Sequence, residues 1–210
     1  MNTKARTLYL FILWVFSALA YAEDRSTFAA LAESNELKSG FVDVLIDDSS
    51  GKTYLKVNNV GDEFIYMSSL PFGLGSNDIG LDRGQLGETR LVMFERAGNK
   101  LFLKQKNTEF RAVTNNQAEA NSVTEAFASS ILWGFTIVDS GSGWVLVDAT
   151  DFTLQDIHGV GRRLASSNQG KSYKVDKTRS AVDAEYTKAF PDNTEIRSTI
   201  TLTGNEPGNF

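Results

Sequence analysis

FVDVLIDDSSGKTYLKV, residues 41–57, decides the fold class of this chain. Its first half alternates Val42, Val44 and Ile46 against two aspartates, the period-two pattern of a strand with one buried face. The turn-forming DSSGK separates this half from TYLKV. The whole stretch therefore predicts a β-hairpin.

The same period recurs along most of the chain. Further strands are predicted at 63–69, 89–96, 101–106, 110–113, 133–139, 143–149 and 195–203, with 180–189 and 195–203 flanking the turn FPDN. A short helix capped by Ser26 is predicted at 26–39. Nothing alternates strand, helix and strand as in a doubly wound nucleotide-binding fold. We therefore expect an α+β fold, mostly β, with antiparallel sheets built of hairpins and meanders.

One main amphipathic helix is predicted at about 116–132. Val123, Phe127 and Ile131 recur every four residues there, and Ala120 lies nearly one turn earlier. Such a stripe is typical of a helix that packs on a core.

The first 22 residues have the three parts of a secretory signal peptide. The basic MNTKART precedes an apolar run, LYLFILWVFSALA, and small residues then flank a cleavage site after Ala22. The apolar run is shorter than the ~20 residues that a membrane-spanning helix needs. We therefore expect a periplasmic or secreted bacterial protein without a membrane anchor after cleavage.

Composition narrows the possible partners. The chain carries 21 basic and 26 acidic side chains, and its formal net charge is −5. The predicted signal peptide removes Lys4 and Arg6 but no acid, so the mature charge is −7. This balance argues against nucleic acid as a partner, because protein surfaces that bind nucleic acid are usually basic. The absence of cysteine excludes thiol catalysis and a disulfide framework.

GLGSNDIGLDRGQLG, residues 73–87, is the most distinctive stretch. It lacks the lysine of a phosphate-binding loop and the third glycine of a dinucleotide fingerprint. Its oxygen-bearing side chains suggest calcium, although their spacing is not that of an EF-hand. Other interpretations are a surface loop bonded to its own backbone, or an interface loop in which Asn77, Asp78, Asp82 and Arg83 contact a partner.

The single histidine, His158, lies near Asp148, Asp151 and Asp156 in sequence. A catalytic zinc takes three protein ligands, mostly histidines, so a metal role is disfavoured. No serine lies in a G-x-S-x-G motif. We therefore predict no catalytic residue, no metal ligand and no cofactor in this chain.

Trp133 and Trp144 are the remaining candidates. They are predicted to lie on neighbouring strands of one hairpin. Such aromatics either line a ligand-binding face or belong to the core. The sequence leaves both possibilities open.

Most of the chain resembles the N-terminal region of secreted bacterial zinc metallopeptidases of the metzincin type. The stretches that carry the resemblance are SSLPFGLGSNDIGLDRGQLGETRLVMFER (68–96), SSILWGFTIV (129–138), VLVDATDFTLQDIHGV (145–160), SYKVDKTRSAV (172–182) and KAFPDNTEIRSTITLTGNEPG (188–208). In that family, a β-rich domain of unknown function precedes the peptidase domain.

The resemblance implies a protease context without the protease chemistry. The family's peptidase domain holds zinc through H-E-x-x-H and a third histidine, whereas His158 stands alone between Ile157 and Gly159. Zinc is therefore expected only in the peptidase domain, which would be the partner of this chain in cis.

The expected organisation is a signal peptide at 1–22, a helical lead-in at 23–40 and a β-rich accessory domain at 41–210, truncated at its C-terminal end. The expected function is non-catalytic docking or pro-domain-like cover. The alternative is a free-standing periplasmic module that binds a ligand or a protein.

Overall fold

Eight antiparallel strands form the main sheet of the computed structural model, which describes residues 26–74, 79–110, 112–167, 170–204 and 206–207. The predicted signal peptide and Asn77 and Asp78 lie outside these ranges. The strands are β1 (Leu37–Lys38), β2 (Asp43–Asp47), β3 (Lys52–Val57), β4 (Glu63–Tyr66), β5 (Arg90–Ala97), β6 (Lys100–Gln105), β7 (Ser130–Gly141) and β8 (Trp144–Asp148). Their order is β1-β2-β3-β8-β7-β6-β5-β4, which confirms the mostly β, antiparallel prediction.

The sheet curls around its main core. Val44, Val92, Leu101 and Val147 are fully buried on the inner face. The two ends of the sheet approach each other, because Phe41 beside β2 meets Phe64 on β4 with ring centroids 5.3 Å apart. The inner face thus encloses one apolar core.

Helix α1 (Thr27–Ser34) covers part of the outer face. The Ser26 side chain accepts a hydrogen bond from Ala29 N, so the predicted cap is confirmed. The helix predicted to extend to residue 39 ends at Ser34, because Leu37 and Lys38 pair with β2 as strand β1. Phe28 and Leu31 pack against a second buried cluster on β2, β3 and β8, formed by Leu45, Tyr54 and Leu146.

The predicted helix at 116–132 is correct only in its first part. Helix α2 (Gln117–Ala126) stops six residues early, because residues from Ser130 onward pair with β6 as strand β7. The apolar stripe does not reach the core: Phe127 stacks on Phe110 at 3.9 Å, and Ile131 is 57% exposed. The strand predicted at 110–113 is also wrong, since residues 110, 112 and 113 have no strand structure.

Two short helices follow the main sheet. Helix α3 (Thr150–Thr153) comes directly after β8, and helix α4 (Val160–Ser166) leads into the C-terminal part. Asp156 accepts hydrogen bonds from Val160 N at 2.7 Å and from Gly161 N at 2.9 Å, which caps α4.

Residues 170–207 form one long, interrupted hairpin, which we call the arm. Four nested antiparallel pairs build it: β9 (Gly170–Lys171) with β16 (Glu206–Pro207), β10 (Lys174–Val175) with β15 (Leu202–Thr203), β11 (Ala181–Val182) with β14 (Ser198–Thr199), and β12 (Lys188–Phe190) with β13 (Asn193–Glu195). The predicted turn FPDN lies at the tip. The single strand predicted at 195–203 is divided among β13, β14 and β15.

The tip of the arm is fastened to the start of β2. Phe41 N donates to Phe190 O at 2.7 Å. The Thr194 hydroxyl accepts from Val42 N at 3.0 Å and donates to Val42 O at 2.8 Å. A Cβ on Gly40 would lie 2.6 Å from the backbone N and O of Phe190, so only glycine allows these two backbone segments to approach so closely.

Candidate functional site

The glycine-rich loop, residues 73–87, connects β4 to β5, and backbone hydrogen bonds hold its ends together. Gly87 N donates to Ser68 O at 2.7 Å, and Leu70 N donates to Gln85 O at 2.9 Å. A Cβ on Gly87 would collide with the Ser68 hydroxyl. A larger residue at position 87 would require the Ser68 hydroxyl to turn away, whereas the Ser68 carbonyl oxygen would be 3.4 Å from the added Cβ.

The middle of the loop is anchored to helix α4. Ile79 and Leu81 are buried against Leu164. The Arg163 side chain reaches the same segment, since its Nη1 donates to Ile79 O at 3.1 Å. This part of the loop is therefore held as part of the fold.

The four predicted interface residues divide into two groups. Asp82 and Arg83 are exposed, and within the described ranges their side chains form no ion pair. The Asp82 amide donates to the Gln85 side chain at 3.0 Å, which shapes the turn. Asn77 and Asp78 lie outside the described residues.

An arginine of the arm is stacked between two aromatic rings beside this loop. The guanidinium carbon of Arg197 lies 4.7 Å from the Phe72 ring centroid and 4.2 Å from the Tyr186 ring centroid. Its Nε is 3.9 Å from the Asp183 carboxylate. Phe72 remains 59% exposed and Tyr186 53% exposed. Each cation–π contact stabilises this arrangement by about 0.5–1 kcal/mol at an exposed site.

The exposed turn comes close to the same segment. A Cβ on Gly73 would lie 3.9 Å from the Arg83 Cβ, so Arg83 lies beside Gly73, the residue that follows Phe72. We call the patch formed by Phe72, Arg83, Tyr186 and Arg197 the loop–arm surface. Of these four residues, the sequence predicts only Arg83 as an interface residue. The available signal for Phe72 is its position in PFGL, an apolar turn in which proline and glycine flank it.

Trp133 and Trp144 do not share a surface. Trp133 packs on the inner core, where its ring lies 5.6 Å from Phe152. Trp144 lies on the outer face, 5.2 Å from Phe28 and with Lys56 Nζ 5.6 Å above its ring. Since the two indoles project from opposite faces of the sheet, no single aromatic face contains both.

Lys56 takes part in a buried ion pair under helix α1. Its Nζ is 3.0 Å from the Asp43 carboxylate, whose other oxygen accepts from Gly40 N at 3.0 Å. Asp43 is only 6% exposed. Because both carboxylate oxygens are hydrogen-bonded, the burial of this charge is compensated.

The carboxylates of the three aspartates near His158 in sequence contact different groups. Asp148 bonds Thr150, Asp151 pairs with Lys177 at 2.7 Å, and Asp156 caps α4. Among the residues that the structure describes, no three His, Asp or Glu side chains come together as a metal site would require.

Asp148 has the most connected carboxyl of this region. Burial raises its pKa, but hydrogen bonds from the Thr150 hydroxyl at 2.6 Å and amide at 3.0 Å, and the Lys52 ammonium at 3.3 Å, outweigh burial. The pKa of Asp148 is therefore held below its ordinary value of 3.8. The hydrogen bond and the charge of Asp148 in turn raise the pKa of Lys52. This network ties β3 to the start of α3.

The described helices are all too short or too polar to cross a membrane. No curated protein matches the chain. No solved structure matches it. One family model does match, and it begins inside the glycine-rich loop, at Gly84, and covers β5 to β16. With residues 84–209 matched, the chain belongs to the family of the domain of unknown function DUF5117.

Proposed function

We propose that this protein is a non-catalytic accessory domain that docks on a protein partner through the loop–arm surface. The partner we propose is the peptidase domain of an exported zinc metallopeptidase, in the same polypeptide. Zinc and the catalytic groups would belong to that partner, since this chain has one histidine and no cysteine. The carrying observation is the stacking of Arg197 between Phe72 and Tyr186.

The composition and order of the loop–arm surface suit a protein–protein interface. Arginine and aromatic side chains are enriched among the residues that carry binding energy, and they act best when a partner excludes water from them. Stacking already restricts the guanidinium, so less side-chain entropy is lost on docking. Two half-exposed rings supply apolar area for the same contact.

The position of the loop supports the same proposal. Ile79 and Leu81 hold the loop on α4, and the fastened arm tip holds the segment that carries Arg197. The surface is thus presented by two anchored elements, which a docking site needs for a defined geometry. A free-standing module that binds a ligand through Trp133 and Trp144 lacks this support, because the indoles lie on opposite faces.

The first test is to read the gene beyond the codon for Phe210. An in-frame H-E-x-x-H motif is expected, with a third histidine after it. If the complete gene encodes no such motif, the assignment to a peptidase partner is wrong.

The second test measures docking on the separately expressed peptidase domain by calorimetry. We expect Arg197→Ala and Phe72→Ala each to weaken binding tenfold or more, about 1.4 kcal/mol. Val113→Ala is the matched control, because Val113 is an exposed apolar residue outside the loop–arm surface. Equal affinities of the Arg197→Ala and Val113→Ala variants would refute docking through this surface.

A further inference from the structure

The side chain of Arg197 is held by stacking rather than by hydrogen bonds. Its guanidinium carbon lies between the Phe72 and Tyr186 rings, at 4.7 Å and 4.2 Å from their centroids. The hydrogen bonds of this residue come from its backbone, whose amide donates to the Thr187 hydroxyl at 3.3 Å and whose carbonyl accepts from Asp183 N at 2.8 Å. Within the described ranges, the guanidinium itself donates none.

Asp183 balances the charge of Arg197 without bonding to it. Arg197 Nε lies 3.9 Å from the Asp183 carboxylate, which is longer than a hydrogen bond, whose limit is about 3.5 Å. The Asp183 carboxylate instead accepts from Tyr186 N at 3.3 Å. A guanidinium carries five N–H donors in one plane. Since the rings contact its faces, the donors at its edge are left for another acceptor.

The other arginine of the arm shows the usual arrangement. Arg179 Nε donates to the Asp176 carboxylate at 2.8 Å, so its charge has an acceptor within the chain. The guanidinium groups of Arg90 and Arg163 also donate to acceptors within the chain. Removing a charged group from water without such an acceptor is unfavourable. The Arg197 side chain is only 28% exposed, so an acceptor from outside the chain would restore what it lacks.

We propose that Arg197 receives the carboxylate of an aspartate or glutamate side chain of the docking partner. This inference rests on the proposed docking function and names the chemistry of the partner's contact. Guanidinium and carboxylate groups are planar and match through two parallel N–H···O bonds. Phe72 and Tyr186 are each more than half exposed, so apolar neighbours of that acid would lie on the two rings.

The first experiment changes the ligand and leaves the protein as it is. The probe is a blocked tripeptide amide with glutamate between leucine and phenylalanine, and its control has glutamine in place of glutamate. The signal of the Arg197 Nε–H group is followed by nuclear magnetic resonance during titration. We expect a saturable shift with the glutamate peptide and binding about tenfold or more weaker with the glutamine peptide, because the charge-assisted pair is lost.

Two further ligands separate the sources of a negative charge. One is the glutamine peptide with a free C-terminal carboxylate, and the other is inorganic phosphate. We expect both to bind more weakly than the glutamate peptide, because neither places a carboxylate between two apolar side chains. Tighter binding of the free terminus would identify a chain end as the occupant, and tighter binding of phosphate would identify a general anion site.

The second experiment changes the arginine. Arg197→Lys keeps the positive charge but replaces the planar fork with a point charge, so it should weaken the glutamate peptide about fivefold or more. Arg179→Lys is the matched control on the same arm, and it should change the affinity less than about twofold, because Asp176 already occupies that guanidinium. Near-ultraviolet circular dichroism checks that both variants are folded.

The inference is overturned if no peptide shifts the Arg197 signal, or if the glutamine peptide, the free terminus or phosphate binds as tightly as the glutamate peptide. Equal affinity of the native protein and Arg197→Lys for the glutamate peptide would also overturn it. If Arg197→Ala weakens docking on the peptidase domain and Arg197→Lys does not, docking stands and the bidentate carboxylate is wrong. If the gene encodes no peptidase motif but the peptides behave as expected, the carboxylate contact stands and the peptidase partner is wrong.

Discussion

Replacing Thr194 with valine should detach the tip of the arm from the sheet. One hydroxyl makes both contacts, accepting from Val42 N and donating to Val42 O. Valine has nearly the same shape and a similar strand preference, so the substitution removes the hydrogen bonds without leaving a cavity. Val42 is only 6% exposed, so its two backbone groups would lose their partners in a buried place.

The expected loss of stability follows from those two groups. A buried donor or acceptor without a partner costs about 1–3 kcal/mol. Two such groups give a predicted loss of about 2–6 kcal/mol, with the lower figure applying if the tip lifts and admits water. Since Arg197 lies three residues beyond Thr194, lifting the tip should also disturb the loop–arm surface.

Urea unfolding followed by tryptophan fluorescence measures the free energy of unfolding. Thr194→Ser retains the hydroxyl and should recover most of the lost stability. Thr199→Val is the matched control, because Thr199 is an exposed threonine on the same arm and its change should stay within about 0.5 kcal/mol. Hydrogen exchange at the Val42 amide should accelerate in Thr194→Val but not in Thr194→Ser or Thr199→Val.

This prediction is wrong if the free energy of unfolding of Thr194→Val lies within about 0.5 kcal/mol of the native value and the Val42 amide stays protected from hydrogen exchange. That result would mean that the tip is held by other contacts and that the paired hydroxyl is incidental. A loss of equal size in Thr194→Ser would also refute it, because serine keeps the hydrogen-bonding group.

Leu81→Ala should lower the free energy of unfolding by about 2–3 kcal/mol, because the Leu81 side chain is buried in a small cluster on α4. A loss below about 0.5 kcal/mol in urea unfolding would contradict the anchoring of the glycine-rich loop on α4. Asp148 has a lowered folded pKa, so its stabilising contribution is present above its ordinary value of 3.8 and is lost as pH falls through the folded pKa. Between about pH 5 and 3 the native protein should therefore lose stability more steeply than Asp148→Asn, and parallel curves would contradict the Thr150 and Lys52 contacts. Export should give a mature protein that begins at Glu23 in intact mass spectrometry, and an unprocessed N-terminus in the exported protein would refute the cleaved signal peptide.

Local patterns predicted the elements whose partners lie close in sequence. The DSSGK turn forms with Asp47 paired to Lys52, and Ser26 caps α1. The FPDN turn also forms, at the tip of the arm. Each of these depends on turn or cap chemistry that a few neighbouring residues provide.

The errors arise where distant residues decide the structure. Phe127 and Ile131 continued the helical spacing, but pairing with β6 draws residues from Ser130 into a strand. The alternation of 195–203 suggested one strand, but its partners on the opposite side of the arm are themselves interrupted. The stacking of Arg197 depends on a loop far away in sequence, and so could not be read from either segment alone.

The edge strand β4 owes its two different faces to the alternation of residues 63–67. Phe64 and Tyr66 bond inward and fill the core, so Ile65 and Met67 must face outward with unpaired backbone groups. An edge of this kind invites unspecific pairing. Here the regular strand is only four residues long and carries the Glu63–Lys106 ion pair, and the chain folds back immediately after it. A short edge strand with a paired charge and an anchored loop beside it limits such pairing.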